Sequence, residues 1–426
     1  MIVSSAFKDK SYAVLGLARS GVATVEALVA SGATVMAWDE KAEPRDAVAD
    51  KARIADPLAT SIYGFSGVVV SPGVPINRHP IAERARAAKV PLIGDIELFA
   101  QARADLPPHK VVGITGTNGK STTTALIHHI VKTAGIPSMM GGNIGLPILA
   151  QEPLPEGGVY VLELSSYQID LTQSLDCEVS VLLNVTPDHL DRYDGMDDYA
   201  GSKARLFAMQ SSDHVAVVAT DDDYTRAIAG QLTGERILVS MEDVKDQSAW
   251  PSLQGPHNGQ NVAAAVAATR ALGIDDDVIV EALATYPGLP HRMERVAEKG
   301  GVLFVNDSKA TNPTSTAPAL AAYPAVHWIL GGLPKSDDLD ACEPYFGHVR
   351  AAYTIGEAGP MFARLLSGKG KKVEEAGTLD KAVQSAASAA ERGETVLLSP
   401  ACASFDQFKD YEARGEAFRA AVEALA

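Results

Sequence analysis

The chain alternates short apolar runs with amphipathic segments over its whole length, and this alternation restricts it to the α/β folds. Strands covered by helices on both faces need apolar residues on both sides, so they read as short unbroken apolar runs. The predicted strands are Tyr12–Leu15, Thr34–Trp38, Gly67–Ser71, Val111–Thr115, Val159–Leu164, Ser180–Asn184, His214–Ala219, Val302–Asn306, Val326–Leu330, Ala351–Ile355 and Thr395–Ser399. The predicted helices include Gly21–Ser31, Lys120–Ala134, Gly259–Leu272 and Leu379–Ala390. We therefore predict an α/β protein with parallel sheets covered on both faces.

The length of the chain and two proline-containing breaks predict three domains. At roughly 150 residues for a domain, 426 residues correspond to about three. Val90–Gly94 closes the first group of repeats, and Tyr286–His291 carries two prolines and a glycine after a helical segment. The predicted domains are therefore residues 1–94, 95–290 and 291–426.

Composition and charge exclude several classes of protein. Hydrophobic residues make up 46% and charged residues 21%, which is typical of a folded chain. The 37 basic and 53 acidic residues give a net charge of −16, which disfavours a protein that coats nucleic acid. The 3 cysteines lie far apart, and neither a secretory signal nor a membrane-spanning run is visible. We expect a cytoplasmic protein with small-molecule substrates, no nucleic-acid partner and no membrane span.

A glycine-rich loop after the strand at Val111–Thr115 predicts a nucleoside triphosphate site. Such a loop turns backbone N–H groups toward phosphate oxygens at the start of a helix, and its lysine reaches the outer phosphates. Ser121 stands where a hydroxyl group commonly binds Mg²⁺. An ordinary turn between strand and helix is the alternative, and the Gly-Lys-Ser sequence argues against it. The predicted ATP-binding residues of this loop are Gly116, Thr117, Asn118, Gly119, Lys120, Ser121 and Thr122.

Candidate metal ligands follow two later strands. Glu163 lies at the end of one apolar strand, and Asp188 and His189 come shortly after the next. Strand ends at one edge of a parallel sheet meet, so these side chains are expected near the glycine-rich loop. Each of them alone would as readily be a solvent-exposed or structural residue. Their combination with Ser121 favours a divalent cation site.

The N-terminal segment holds a second strand–turn–helix unit. Gly16 and Gly21 lie at the turn, and Asp39 follows about twenty residues later at the next strand end, as in dinucleotide-binding folds. The spacing of the glycines departs from G-x-G-x-x-G. The turn could hold a dinucleotide, hold a nucleotide-diphosphate sugar through backbone amides, or only pack a helix on a sheet. Ser71–Gly73 is another strand-end turn that could line the same crevice.

Basic residues near strand ends mark the last third of the chain. Arg292, Lys309 and Lys335 would form an anion-binding surface on an otherwise acidic protein. Each of the three alone would be interpreted as a solvent-exposed cation, but together they favour an anion-binding site.

These motifs, in this order, resemble the Mur ligase family over nearly the whole chain. The blocks that carry the resemblance are Gly116–Ser121, Gly142–Gly145, Glu163–Gln168, Asp188–Arg192, Asn306–Asn312 and Ser399–Phe408. The last two blocks resemble the D-glutamate-adding branch more than its siblings. The resemblance implies a Rossmann-like N-terminal domain, a P-loop ATPase central domain and a Rossmann-like C-terminal domain.

The resemblance also implies a reaction. ATP would phosphorylate the carboxylate of UDP-N-acetylmuramoyl-L-alanine, and the amine of D-glutamate would attack the acyl phosphate. The product would be a peptidoglycan precursor for cell-wall growth and division. The cofactors implied are ATP and two Mg²⁺ ions, with a possible carbamate on Lys203, and the enzyme would be a monomer.

Residue roles follow from the same resemblance. The catalytic residues would be Lys120, His189 and Lys203, and the metal ligands Ser121, Glu163 and His189. Further ATP contacts would come from Asn258, Asn261, Arg292 and Asp307. The UDP-sugar site would comprise Ser20, Asp39, Gly73, Asn143 and Ser165. The D-glutamate site would comprise Lys309, Thr311, Lys335, Ser404 and Phe405.

Three alternatives compete with this interpretation. A sibling ligase with another amino acid or a folate acceptor would share the glycine-rich loop but lack the last two blocks. A nicotinamide-dependent dehydrogenase would use the N-terminal turn, against which the missing G-x-G-x-x-G counts. A nucleotide-switched binding protein would hydrolyse the triphosphate without an acceptor amino acid. The motifs favour the ligase.

Overall fold

The computed structural model describes residues 1–425, and within them the strands form three sheets separated by helices. The predicted α/β class is confirmed. The chain divides into two compact units, one made of Met1–Asp243 with Gln260–Leu283, the other of Val244–Gly259 with the chain from Ala284 onward. The first unit contains the first two sheets, and the second unit contains the third. The domain borders at residues 94 and 290 stay a prediction.

The first sheet is parallel throughout and has a crevice at its carboxyl edge. Its strands are β1 Ser11–Leu15, β2 Thr34–Trp38, β3 Arg53–Ile54, β4 Gly67–Val70 and β5 Leu92–Ile93. The order is β3-β2-β1-β4-β5. The accompanying helices are α1 Arg19–Ala30, α2 Ala42–Asp46, α3 Ile81–Ala88 and α4 Asp95–Ala102. The strand order reverses between β1 and β4, which is where open α/β sheets place ligands.

The second sheet is also parallel and carries the glycine-rich loop near its centre. Its strands are β6 His109–Thr115, β7 Ser138–Gly142, β8 Gly158–Glu163, β9 Val179–Leu182, β10 Val215–Ala219 and β11 Arg236–Val239. The order β11-β10-β9-β6-β8-β7 sets β6 between β8 and β9. The helices that follow are α5 Lys120–Thr133, α6 Ser166–Asp170, α7 Met196–Ala208, α8 Asp223–Gln231, α9 Pro256–Ala271 and α10 Asp276–Thr285.

The third sheet corrects the expectation of purely parallel strands. Its strands are β12 Glu294–Lys299, β13 Val302–Asn306, β14 Val326–Gly331, β15 Val349–Ile355, β16 Val373–Gly377 and β17 Thr395–Leu398, in the order β12-β13-β17-β14-β15-β16. The edge strand β12 pairs antiparallel with β13. The sequence pattern missed β12 because its charged residues do not form an apolar run. The helices are α11 Pro313–Ala322, α12 Gly359–Gly368, α13 Leu379–Ala389 and α14 Tyr411–Glu423.

Several predicted strands end earlier than expected. The predictions extended to Ser71, Leu164, Asn184 and Ser399, whereas the strands end at Val70, Glu163, Leu182 and Leu398. The residues beyond each strand turn into loops at the carboxyl edge. Short 3₁₀ helices add further connections at Ser5–Phe7, Arg103–Asp105, Ile148–Ala150, Met241–Asp243 and Asp340–His348. Among residues 1–425, no helix combines the length and the apolar character that crossing a bilayer requires.

The first two sheets share one apolar core. Phe99 of α4 and Tyr160 of β8 are both fully buried, with ring centroids 5.0 Å apart in an edge-to-face arrangement. Aromatic pairs of this geometry contribute to stability beyond their buried area. The shared core explains why the first two sheets belong to one compact unit.

The third sheet is built around Trp328. The Trp328 side chain of β14 is fully buried, and its indole N–H donates to the carbonyl oxygen of Ser399 at 2.8 Å. The same apolar cluster contains Phe346 and Phe362.

We predict that Trp328→Ala lowers the free energy of unfolding by about 3–5 kcal/mol, because it leaves a large cavity and an unpartnered carbonyl group. Leu365→Ala, at an exposed position of α12, is the matched control and should change the free energy of unfolding by less than about 0.5 kcal/mol. Urea unfolding followed by circular dichroism measures both. Equal effects of the two substitutions would contradict the central role of Trp328.

Candidate active site

The glycine-rich loop joins β6 to α5 in the conformation that a phosphate-binding loop requires. Gly116 and Gly119 have φ angles of 150° and 83°, a region that residues with a Cβ atom rarely adopt. A Cβ atom on Gly119 would lie 2.2 Å from the Oδ1 atom of Asn261, and one on Gly116 would lie 3.0 Å from the Cβ atom of Leu183. Only glycine therefore fits at these two positions, and the loop leads directly into the N-terminus of α5.

Lys120 lies folded over the loop that it follows. Its Nζ atom donates to the carbonyl oxygens of Gly116 at 2.9 Å and of Thr117 at 2.7 Å. The side-chain cation is thus held beside the backbone N–H groups of the loop. This arrangement concentrates positive charge where a phosphate chain would bind.

The segment that follows β9 holds the glycine-rich loop in place through hydrogen bonds. The Oδ1 atom of Asn184 accepts from the N–H of Asn118 at 2.8 Å, and its Nδ2 atom donates to Gln260 at 2.7 Å. The Thr117 hydroxyl donates to the carbonyl oxygen of Thr186 at 3.2 Å. The sequence prediction assigned no role to Asn184 or Gln260, and the only available signal was a polar side chain directly after an apolar strand.

Glu163 presents a buried carboxylate oxygen without a partner. The side chain is 2% exposed at the end of β8, beside β6, and its Oε1 atom accepts from the Nδ2 atom of Asn143 at 3.0 Å. Its Oε2 atom is buried and has no hydrogen-bond partner. A buried unpaired carboxylate oxygen is costly, so this atom is suited to a bound cation. Asn143, predicted to touch the UDP-sugar, therefore also orients this carboxylate.

The other predicted metal ligands lie on separate segments of the same unit. Ser121 is buried in the first turn of α5, and His189 is half exposed in the loop after β9. In the described part of the chain, no group of three or more His, Cys, Asp or Glu residues is arranged to hold a metal ion. Mg²⁺ in nucleotide sites commonly takes only one or two carboxylates and completes its shell with phosphate oxygens and water.

His189 adopts an unusual backbone conformation, and the pKa of its ring is lowered. Its φ angle is 54°, which non-glycine residues rarely adopt. Burial lowers the pKa of the imidazole, the Asp188 carboxylate opposes this, and the positive charge of Lys120 lowers the pKa further. The ring packs 5.1 Å from that of Tyr167. A neutral imidazole is the form that binds metal ions.

Lys203 is a buried amine rather than an exposed helix lysine. The side chain is 1% exposed on α7, its Nζ atom donates to the carbonyl oxygen of Gly116 at 2.9 Å, and it lies 4.4 Å from the centre of the Tyr199 ring. Burial lowers the pKa of this amine well below its usual range, and the Lys120 charge adds to the effect. The direction of this shift favours the uncharged amine next to the phosphate loop.

The Asp39 carboxylate, which follows β2, holds the N-terminal turn through hydrogen bonds. Asp39 accepts from the backbone N–H of Leu17 at 2.7 Å and from that of Lys41 at 3.0 Å. The Ser71 hydroxyl donates to the carbonyl oxygen of Gly16 at 2.8 Å, which joins the ends of β1 and β4. Gly73 has open space around it. These hydrogen bonds join the turn after β1 to the ends of β2 and β4, and the sugar-nucleotide site there stays a prediction.

Two other predicted UDP-sugar residues occupy defined positions. Ser20 lies in the first turn of α1 and lines a small cavity with Asp95, whose pKa is raised by burial to about 6. Ser165 caps α6, and its hydroxyl exchanges hydrogen bonds with Gln168 in a capping box. The Ser165 hydroxyl is therefore already used within the protein.

Of the predicted ATP-binding residues of the second unit, Asn258 and Asp307 are buried and Arg292 is half-buried. Asp307 follows β13, and its carboxylate accepts from the Ser399 hydroxyl at 2.8 Å and from the N–H of Met293 at 3.2 Å. Burial raises the pKa of Asp307 to about 7. Asn258 donates to the carbonyl oxygen of Gln254 at 2.9 Å. Arg292 directly precedes Met293, so it is placed by the same hydrogen bond.

Predicted D-glutamate residues of the second unit lie on loops at the carboxyl edge of the third sheet. The Nζ atom of Lys309 is 3.7 Å from the centre of the Tyr411 ring, and that of Lys335 donates to the Thr311 hydroxyl at 3.2 Å. Ser404 is buried, whereas Phe405 is 69% exposed. The structure brings Lys335 and Thr311 together.

A buried arginine that the sequence prediction missed holds these loops. Arg414 of α14 is 1% exposed and donates to the carbonyl oxygen of Ser308 at 2.9 Å and to those of Cys402 at 3.0 Å and Ala403 at 3.2 Å. Burial lowers the pKa of the guanidinium group to about 10. An arginine in the polar pattern of an amphipathic helix gives no signal that it is buried.

Comparisons with known proteins agree with this architecture. The family model described as "Mur ligase middle domain" matches residues 114–265, and the one described as "Mur ligase, glutamate ligase domain" matches residues 291–402. A solved structure of UDP-N-acetylmuramate-alanine ligase from Thermotoga maritima is 17% identical, covers 97% of this chain and 99% of its own, and has a TM-score of 0.60, which indicates a shared fold.

Curated relatives match at much higher identity. The protein of Novosphingobium aromaticivorans named UDP-N-acetylmuramoylalanine--D-glutamate ligase is 66% identical, over 100% of this chain and 97% of its own length. The protein of the same name from Sphingopyxis alaskensis is 63% identical over 100% of both chains. On these matches and the two family models, the chain belongs to the Mur ligase family.

Proposed function

We propose that this ligase uses ATP to join D-glutamate to UDP-N-acetylmuramoyl-L-alanine in the cytoplasm, as a step of peptidoglycan precursor synthesis. Two relatives that match the whole chain at 66% and 63% identity carry the name of this activity. The observation that carries the chemistry is the unpartnered Oε2 atom of Glu163 on the strand next to the phosphate loop. Three buried free cysteines are consistent with a reducing compartment.

The proposed reaction proceeds in two steps. An oxygen of the substrate carboxylate attacks the γ-phosphorus of ATP, ADP leaves, and an acyl phosphate forms. The amine of D-glutamate then attacks the acyl carbon, a proton leaves the nitrogen, and inorganic phosphate departs with the electrons of the broken C–O bond. Phosphoryl transfer of this kind depends on positioning and charge neutralisation, which Lys120 and the loop amides supply.

We propose that Glu163, Ser121 and His189 hold Mg²⁺ together with the phosphates, in two sites. The buried Oε2 atom of Glu163 and the His189 ring, whose pKa is lowered mainly by burial, fit this role. Bound Mg²⁺ neutralises the charge of the transferred phosphoryl group.

The substrates are proposed to contact the residues that the sequence analysis assigned to them. For ATP, in addition to the glycine-rich loop, these are Asn258, Asn261, Arg292 and Asp307. At the UDP-sugar crevice they are Ser20, Asp39, Gly73, Asn143 and Ser165. For D-glutamate they are Lys309, Thr311, Lys335, Ser404 and Phe405, where cations match the substrate carboxylates. A monomer with domains 1–94, 95–290 and 291–426 remains part of the proposal.

Lys203 is proposed to carry a carbamate. The lone pair of its neutral amine attacks the carbon of CO₂, a C–N bond forms, and a nitrogen proton passes to water. The burial of the amine and its depressed pKa support this step. The product is an anion beside Lys120, whose positive charge lowers the pKa of the Lys203 amine.

We predict that phosphate release from ATP with Mg²⁺ and UDP-N-acetylmuramoyl-L-alanine occurs only with D-glutamate. A coupled phosphate assay compares D-glutamate with L-glutamate, L-alanine, lysine and diaminopimelate, and mass spectrometry checks the nucleotide product. Release with a different amino acid would move the protein to a sibling activity. Release without any acceptor would favour the nucleotide-switched binding protein.

Lys120→Ala should lower kcat by roughly 100- to 1,000-fold, because it removes a charge aimed at the transferred phosphoryl group. Lys132→Ala, in the exposed last turn of the same helix α5, is the control and should retain full turnover. Steady-state kinetics at saturating ATP measures both variants. Near-normal activity of Lys120→Ala would remove the phosphate role of this residue.

Lys203→Ala should abolish turnover, whereas Lys203→Glu should retain part of it, because the glutamate supplies the anion that the carbamate would provide. Nuclear magnetic resonance with ¹³C-bicarbonate should show a carbamate signal in the unsubstituted enzyme and in Lys132→Ala but not in Lys203→Ala. A signal that persists in Lys203→Ala would refute the assignment.

A further inference from the structure

Two loops of the first unit are joined to each other by hydrogen bonds at the crevice between β4 and the second sheet. The first, here called the Gly73 loop, spans residues 71–80 between β4 and α3. The second, here called the His189 loop, spans residues 183–195 between β9 and α7. One loop carries a proposed contact to the UDP-sugar, and the other carries a proposed metal ligand.

Arg192 of the His189 loop holds the Gly73 loop from both sides of its glycine. Its Nη2 atom donates to the carbonyl oxygen of Val74 at 3.1 Å and to that of Pro72 at 3.4 Å, which are the two neighbours of Gly73. The guanidinium carbon lies 4.0 Å from the centre of the Tyr167 ring on α6. A planar guanidinium group can stack and donate in its own plane at once, which an ammonium group cannot.

The main chain of Arg192 is tied to His189. Its N–H donates to the carbonyl oxygen of His189 at 2.9 Å, which closes a turn that begins at His189, a residue with a positive φ angle. The same residue therefore fixes Gly73 through its side chain and His189 through its backbone.

The Gly73 loop in turn donates hydrogen bonds to the His189 loop. The Nδ2 atom of Asn77 donates to the carbonyl oxygen of Arg192 at 3.1 Å, and the side chain of Arg78 donates to the carbonyl oxygen of Asp191. All of these acceptors are main-chain carbonyl groups, which define direction more sharply than a surface ion pair does. None of the ion pairs identified among the described residues includes Arg192.

We propose that Arg192 is a positioning residue that sets the register between the Gly73 loop and the His189 loop. This rests on the proposed function, in which the UDP-sugar contacts Gly73 while its terminal carboxylate reacts at the phosphate site near His189. With the clamp in place, the bound sugar nucleotide presents its carboxylate in line with the phosphate to be transferred. Without it the two ends of one substrate are held by segments that can shift against each other.

The test compares Arg192→Ala and Arg192→Lys with the control Arg86→Ala. Arg86 lines the same cavity of about 500 Å³ as Arg192, but its side chain is exposed. Both Arg192 variants should lose roughly 10- to 100-fold in kcat/KM for UDP-N-acetylmuramoyl-L-alanine, because small displacements of reacting groups are costly. Lysine should rescue little, because it lacks the planar fork. The KM values for ATP and D-glutamate, the melting temperature and the Arg86→Ala kinetics should stay unchanged.

Unchanged kcat/KM for the UDP-sugar substrate in Arg192→Ala would overturn the proposal. A uniform rise of all three KM values with a lower melting temperature would also overturn it, since that pattern indicates a merely structural role. Asn77→Ala supplies a second test, because its effect on kcat/KM should be smaller in the Arg192→Ala background than in the unsubstituted enzyme. Strict additivity of the two substitutions would contradict a shared clamp.

Amide hydrogen exchange separates a failure of the clamp from a failure of the proposed function. If the unsubstituted enzyme releases no phosphate with D-glutamate, the proposed function fails while the clamp is still tested. Exchange in residues 71–80 and 183–195 should then be faster in Arg192→Ala than in Arg86→Ala. Equal exchange rates in the two variants would exclude the clamp whatever the enzyme's substrate.

Discussion

The parallel pairing of β6 with its two neighbours is the interaction on which the candidate active site depends. In the ladder between β6 and β8, Ile114 lies opposite Glu163, and in the ladder between β6 and β9, Thr115 lies opposite Leu182. These registers end all three strands at one edge, so the phosphate loop, the buried carboxylate and the loop of Asn184 start side by side. A slip of one residue would turn the Glu163 side chain to the other face of the sheet. The pairing of the core strands therefore determines which side chains lie together at the edge of the sheet.

Much of this arrangement could be predicted from the sequence, because central strands and glycine-rich turns leave strong local signals. The apolar run before Gly116 and the sequence Gly-Lys-Ser predicted both the strand and the phosphate loop. Edge strands were harder to predict: β12 carries Glu294, Arg295, Glu298 and Lys299, and a half-exposed edge tolerates such charges. Its antiparallel pairing depends on a tight turn through Gly300 and Gly301, both at positive φ, and no apolar pattern reports it.

Roles that arise from partners distant in sequence could not be predicted. Asn143 was assigned to the UDP-sugar site, yet its amide group donates to the Glu163 carboxylate 20 positions away in sequence. The side chains of Asn184 and Gln260 form a hydrogen bond although they are 76 positions apart in sequence. Arg414 looks like the polar face of a helix, but it is buried among carbonyl groups of two loops. A single sequence gives the identity of each of these side chains but not which partner atom lies opposite it in the fold.

Burial changes what the basic residues of this acidic chain can do. Some of the basic residues of this chain, whose net charge is −16, pair with carboxylates, as Lys51 pairs with Glu26. Lys120 and Lys203 are different, since both donate to the carbonyl oxygen of Gly116. Two amines on one carbonyl oxygen repel each other if both are protonated, and burial together with the Lys120 charge lowers the pKa of the Lys203 amine. The loop therefore brings two amines of unequal burial to one carbonyl oxygen, with Lys120 half-buried and Lys203 only 1% exposed, and the pKa of the more deeply buried amine is the one that is lowered.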